Sequence, residues 1–138
     1  MSNKIIRNLY ETRLKNWAAA RSPIIRIAYQ DAPFTPNPGE TYLECFVLPA
    51  TTDSQDLAGE HKLYQGVWQV TIVKPAGTGL VAAGGIEEEL AALFPNNLEL
   101  TSGAFSVFVR SPMSAAPALV GTPYTRVPVS CQYRADTP

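Results

Sequence analysis

The sequence predicts an α+β fold, a single domain over residues 1–138 in which a mainly antiparallel sheet packs against two helices. Apolar residues recur at helical spacing in two stretches, and they alternate with polar residues in the other stretches. Segments rich in Pro and Gly separate these stretches. The predicted order is α-β-β-β-α-β-β-β, with no internal repeat and no interdomain linker.

The first predicted helix covers residues 3–20. Its apolar stripe is formed by Ile6, Leu9, Tyr10, Leu14 and Trp17. The dipeptide Ser22-Pro23 ends the helix, because the residue before a proline is disfavoured in the α region.

The next predicted strands are residues 24–30 and 41–48, joined by the proline-rich segment 31–39. In the second strand, Leu43, Cys45 and Val47 point one way, and Tyr42, Phe46 and Leu48 point the other way. A strand that is apolar on both faces is expected to meet protein on both. One face is therefore predicted to join the core, and the other to meet a helix or a neighbouring subunit.

A polar loop over 51–61 leads into a long predicted strand over 62–74. Residues 41–74 then form a long hairpin with an extended tip. Within the predicted strand 62–74, Gly66 indicates a bulge or a close approach of another backbone.

The second predicted helix covers residues 77–94. Its start is ambiguous because the pair Gly84-Gly85 is unfavourable inside a helix, by up to ~1 kcal/mol for each glycine. Either the helix begins near Gly85, which places Glu87-Glu88-Glu89 in its first turn, or the glycines let it pack closely on the sheet. The preceding Gly77-Thr78-Gly79 lacks the other residues of a nucleotide-binding motif and predicts a tight turn.

Three more strands are predicted over 98–100, 104–110 and 127–134. Strict alternation of apolar residues supports the last two. The segment 112–123, rich in Pro, Ala and Gly, is predicted to connect them.

Composition and charge exclude several functions. The formal net charge is −1, with 11 basic and 12 acidic residues, so no basic excess is present to bind nucleic acid. No apolar run approaches the ~20 residues that span a bilayer, and the expectation is a soluble, cytosolic protein where it is made. Cys45 and Cys131 are expected to be small buried hydrophobic residues in a reducing cytosol. A disulfide between them would need their two strands to be adjacent and an oxidising compartment, and the sequence establishes neither.

No catalytic, metal or cofactor site is predicted. His61 is the only histidine, so a nucleophilic triad would have to use it as the base. Because it lies in a polar loop, it is expected to be an exposed loop residue instead. Clustered metal ligands are also lacking in the sequence. Trp17 and Trp68 fall in register with apolar stripes and are expected in the core.

Short pieces along the whole chain carry a resemblance to a known family. They are Ile27-Ala28-Tyr29, Pro33-Phe34-Thr35-Pro36, Leu48-Pro49-Ala50, Tyr64-Gln65-Gly66, Gln69-Val70, Pro75-Ala76-Gly77 with Gly79, and Pro128-Val129-Ser130. In this order they resemble the tail terminator-like proteins of long-tailed bacteriophages, of the lambda type.

The resemblance implies a structural virion protein and not an enzyme. It implies a homo-hexameric ring at the head-proximal end of the tail, assembled in the host cytoplasm. The ring would cap the tail tube, stop its polymerisation and present a surface for the neck or head-completion protein. Its partners would be other copies, the tail tube protein and that neck protein. No specific nucleic-acid recognition and no membrane binding are implied, although DNA would pass through the lumen.

A ring with head-to-tail contacts needs two different, complementary surfaces on each subunit. The segments 31–39 and 51–61, together with the doubly apolar strand, are the predicted sources of these surfaces. The candidate ring or tube contacts are Pro33, Phe34, Tyr42, Phe46, Asp53, Asp56, His61 and Tyr64.

Three other functions stay open at this stage. The first is another neck or minor tail protein. The second is a small enzyme that uses a carboxylate or His61, and the third is a monomeric ligand-binding module that uses Trp68 or the tyrosines.

Overall fold

The computed structural model describes residues 3–21, 24–30, 32–50, 52–54, 62–77, 79–121 and 123–137. The described residues form two helices and eight strands. The helices are α1 (Asn3–Ala20) and α2 (Val81–Leu93). The strands are β1 (Ile27–Tyr29), β2 (Tyr42–Pro49), β3 (Asp53–Ser54), β4 (Lys62–Pro75), β5 (Glu99–Ser102), β6 (Phe105–Val109), β7 (Ser114–Ala115) and β8 (Tyr124–Thr137).

All eight strands belong to one sheet with the order β1-β2-β4-β8-β6-β5. Strands β4 and β8 form its centre and pair antiparallel over their whole length, from Lys62 opposite Thr137 to Pro75 opposite Tyr124. The short strands β3 and β7 add to β4 and β8 respectively. Only β1 and β2 run parallel, so the predicted α+β fold with a mainly antiparallel sheet is confirmed.

Both helices pack on one face of the sheet, called here the inner face. The alternation of the strands supplies its apolar side chains, which form one core with the helices. Leu43, Cys45 and Val47 of β2 are buried there, as predicted. The rings of Tyr10 and Trp68 lie 5.2 Å apart at the centre of the core.

Helix α1 has the predicted bounds and buries one stripe: Ile6, Tyr10, Leu14 and Ala18. Two polar contacts join it to α2. Arg13 donates from Nε to the carbonyl oxygen of Leu93 at 2.8 Å, which satisfies a carbonyl at the end of α2. Arg21 and Glu89 form an ion pair at 2.9 Å.

The start of α2 differs from both expectations for the glycine pair. The helix begins at Val81, so Gly84 and Gly85 lie inside it, and no acidic residue falls in its first turn. A Cβ atom added at either glycine would meet nothing within 4 Å, so close packing on the sheet does not explain them. Gly77 and Gly79 have positive φ angles, which confirms the tight turn before the helix.

Gly66 is the glycine whose lack of a side chain the fold requires. A Cβ atom there would lie 2.5 Å from the carbonyl oxygen of Leu48 and 2.6 Å from the hydroxyl of Tyr133. The prediction of a close backbone approach is therefore confirmed, with the end of β2 as the neighbouring backbone.

Four strands, β1, β3, β7 and β8, differ clearly from the sequence prediction. Strand β1 is limited to three residues, and β8 is longer at both ends because β4 pairs with all of it. Two short strands, β3 and β7, lie in segments predicted as loops, since each finds free backbone groups on a long neighbouring strand.

Candidate assembly surfaces

The outer face of the sheet is the first candidate surface, and neither of the described helices packs on it. It is formed by the side chains that alternate with the core residues, among them Glu44, Phe46, Gln69 and Thr71. An ion pair crosses it from Arg126 of β8 to Glu44 of β2 at 3.2 Å. The face thus mixes apolar and charged groups, as surfaces between separately folded subunits do.

The proline-rich segment covers one end of this face. The ring of Phe34 lies 4.8 Å from that of Tyr42, and the guanidinium of Arg26 lies 4.5 Å above Phe34. Tyr42 also meets Tyr124 edge to face, and burial raises the pKa of its hydroxyl. Tyr42 is therefore buried inside its own subunit, whereas Pro33 remains exposed.

The other predicted contact residues do not form one patch with this group. Phe46 is half-buried on the outer face, opposite Gln69. Tyr64 belongs to the core, with its ring edge to face against Phe105. Asp53 lies in β3, paired with Leu63. Asp56 and His61 lie outside the described residues.

A shallow groove, the outer groove, lies on the outer face beside Gly66. It has a volume of about 420 Å³ and is lined by Gln65, Val67, Arg110, Gln132 and Arg134 among others. Arg134 pairs with Asp136 at 3.1 Å, whereas the guanidinium of Arg110 has no hydrogen bond or ion pair within the described part of the chain. The backbone amide of Arg110 donates to the carbonyl oxygen of Gln132. The groove therefore presents a cation that an acidic group of another chain could neutralise.

A second surface, the end patch, consists of Ile24, Leu80, Val81, Leu119 and Val120. The end of β4, the start of β8 and the turn into α2 all lie at this end of the sheet, since Pro75 pairs with Tyr124. Leu119 is held there by a bridge to Arg126. Val81 and Val120 are 92% and 84% exposed. Several large apolar side chains exposed at one end of a domain are typical of a binding surface.

The described residues show no constellation suited to chemistry. No group of three or more His, Cys, Asp or Glu is placed to hold a metal ion there. Burial raises the pKa of both thiols, Cys45 and Cys131, to about 12, so neither is activated as a nucleophile. None of the described helices is long and apolar enough to cross a membrane.

Comparison with known proteins identifies the family to which this chain belongs. The model of a family described as phage tail terminator protein matches residues 5–133, nearly the whole chain. The chain belongs to the phage tail terminator family. The family resemblance carried by the short sequence pieces is thereby confirmed, and the protein is a structural phage tail protein of the virion.

A solved structure supports the fold independently. Its protein carries only a serial designation and no functional description; it is 43% identical to this chain and superimposes with a TM-score of 0.83. The match covers 98% of this chain and 96% of that one. No curated protein matches the chain. Membership of the tail terminator family implies contact with other tail or head proteins of the phage.

Sequence reasoning missed the end patch and the outer groove of this tail terminator. Leu119 and Val120 stand in a Pro/Ala-rich connection, and Leu80 and Val81 follow a glycine turn. The large apolar residues within these loop-like segments were the sequence signal that could have indicated the end patch. The sequence contains no such signal for the outer groove, because only the strand register brings Arg110 beside Arg134.

Proposed function

We propose that this chain forms a ring, six copies in the family-based hypothesis, that caps the tail tube and stops its polymerisation. The ring then offers its free side to the neck or head-completion protein. The observation that carries the proposal is that one subunit has two uncovered surfaces of different chemistry, the end patch and the outer groove. A head-to-tail ring requires two such unlike surfaces on every copy.

The two surfaces are suited to different partners. The end patch is apolar, which fits the permanent contacts between subunits of an assembly. The outer groove is polar and carries Arg110, whose guanidinium has no partner among the described residues. A contact that charge steers and selects fits this groove. The predicted contacts at Pro33, Phe34 and Phe46 belong to this proposal, which is supported by Phe46 on the outer face and by the packing of Phe34 on Tyr42.

Substitution of Val81 tests the role of the end patch. Val81→Asp places a charge in the patch, yet an acid at the first position of a helix suits its dipole and should leave folding intact. In a phage that lacks its own copy of this gene, we expect the wild-type chain to restore tails of normal length. Val81→Asp should instead give overlong tubes, as should Arg110→Glu in the outer groove.

Lys15→Glu on the exposed side of α1 is the matched control, since it changes charge away from both surfaces. Normal tails with the control and overlong tubes with Val81→Asp support the proposal. Normal tails with both Val81→Asp and Arg110→Glu would contradict the assignment of these surfaces.

The polar loop is a separate part of the proposal, covering Asp53, Asp56 and His61 as contacts to ring or tube. Deletion of residues 53–59 leaves β4 and β8 unchanged, so the subunit should still fold. We expect tails of abnormal length. Normal tail length after the deletion would remove the loop from the proposed contact surface.

A further inference from the structure

A cavity of about 450 Å³ lies at the end of the sheet, between the start of α2 and the segment that leads into β1. Its walls are mostly apolar. They include Ile24, Ile25, Ala82, Ala83 and Ile86. Pockets of this size and composition, with a few polar groups, are typical of sites for small ligands.

The cavity contains a buried cation, Lys74. The residue is only 5% exposed, and its ammonium donates to the carbonyl oxygen of Pro75 at 2.9 Å. A lysine ammonium has three protons, and within the described part of the chain Nζ has no other acceptor and no acidic partner. A buried ammonium is unfavourable unless an anion is close to it.

The other charged groups around the cavity are already paired. Arg21 forms its ion pair with Glu89, and Glu40 forms one with Arg26 at 2.9 Å. The backbone amide of Asn37 also donates to Glu40 at 2.9 Å. Arg21 and Glu40 line the cavity, and each is therefore paired with a group outside the lining, whereas Lys74 has no carboxylate partner among the described residues.

The start of α2 adds to the positive potential of the cavity. Leu80 at its N-cap makes no side-chain hydrogen bond to the first turn. Ala82 and Ala83, whose amides belong to that turn, line the cavity. A helix N-terminus favours an anion, so it acts in the same direction as Lys74.

We propose that this cavity binds a carboxylate that carries a short apolar chain, with the carboxylate at Lys74 Nζ and the chain among the isoleucines. One uncompensated cation matches a single negative charge, whereas a phosphate would bring a second charge into apolar walls. The carboxylate belongs either to a free small acid or to a glutamate flanked by apolar residues on another protein. The inference does not depend on ring formation.

A titration of the labelled protein with hexanoate, followed by amide NMR shifts, tests the proposal. We expect saturable shifts at Lys74, Ala82 and Ala83, and much weaker shifts with 1-hexanol, which lacks the charge. Lys74→Met should weaken hexanoate binding by at least about ten-fold. Lys15→Met, which removes an exposed lysine of α1, is the matched control and should bind as the wild type does.

Ala82→Leu gives a second variant that does not depend on Lys74. Position 82 is exposed at the cavity mouth, and leucine is a good helix former, so the fold should persist while the entrance narrows. Hexanoate binding should again weaken. No saturable shifts with hexanoate, or equal binding by Lys74→Met, would overturn the proposal.

The source of the carboxylate is decided by two blocked tripeptides, acetyl-Ile-Glu-Ile-amide and its Gln counterpart. Tighter binding of the Glu peptide than of hexanoate assigns the cavity to a partner's side chain. Tighter binding of hexanoate assigns it to a free acid. Equal binding of the Glu and Gln peptides, together with no hexanoate binding, would contradict any carboxylate site. Tail length is not involved, so failure here is distinct from failure of the ring proposal.

Discussion

The inner and outer faces of the sheet come from the same strands but differ in the side chains that they present. On the inner face, every second residue of β2, β4 and β8 packs under the helices around Tyr10 and Trp68. On the outer face, the intervening residues include charged pairs, half-buried Phe46 and Arg110, whose guanidinium has no partner among the described residues. The inner face therefore stabilises the subunit, whereas the outer face is the one proposed to contact other chains.

Truncation of a large side chain on each face should give the largest difference in the free energy of unfolding. Trp68→Ala removes a fully buried ring and should lower the free energy of unfolding by about 3–5 kcal/mol. Phe46→Ala on the outer face should cost under about 2 kcal/mol, because its ring is only half-buried. Urea unfolding of both variants measures the difference, and equal losses would contradict the assignment of the faces.

Substitution of Gly66 tests the close approach between β4 and the end of β2. Gly66→Ala forces a Cβ atom against the Leu48 carbonyl and the Tyr133 hydroxyl, so it should destabilise the fold by about 1–3 kcal/mol. The midpoint of urea unfolding reports the loss. An unchanged midpoint would mean that the backbones do not approach this closely.

The burial of the two thiols on the inner face predicts how the free energy of unfolding depends on pH. Their folded pKa of about 12 is above that of a thiol in an unfolded chain, about 8.5. The stability that this burial supplies is therefore complete below about pH 8 and lost as the pH rises toward 12.

For each thiol, the free energy of unfolding should fall by about 1.4 kcal/mol per pH unit within that window. Unfolding measured between about pH 8 and 11 should show a smaller slope in Cys131→Ala than in the wild type. An identical slope would show that this thiol is not protonated and buried in the folded protein.

The two glycines of α2 should give the smallest effect, with opposite sign: a gain in stability. Gly84→Ala and Gly85→Ala add a Cβ into open space and remove backbone entropy from the unfolded chain, so each should stabilise by about 0.5–1 kcal/mol. Thermal unfolding measures the gain. Destabilisation by either variant would contradict the helix bounds of Val81–Leu93.

The sequence predicted the parts of the fold that depend on periodicity. The stripe of α1 and the alternation of β2 and β4 identified their buried faces, because burial selects apolar residues at the period of each element. The short strands β3 and β7 were not predictable, because two residues carry no period and their pairing depends on a long neighbouring strand.

The contact surfaces were harder to predict than the fold. Tyr42 and Tyr64 are apolar residues with a polar tip and suit an interface or a core equally well. Only the fold shows that Phe34 and Phe105 cover them within the subunit. The end patch depends on which segments meet where β4 ends, and Arg110 depends on the register of β6 with β8.

Cryo-EM of purified tails from the phage that encodes this chain tests the central claim most directly. The account predicts a single ring of copies at the head-proximal end of the tail tube. In that ring, the end patch of each copy is covered by protein, and the outer face contacts a different neighbour. Absence of the chain from the tail, or its presence along the tube instead of at its end, would contradict the account.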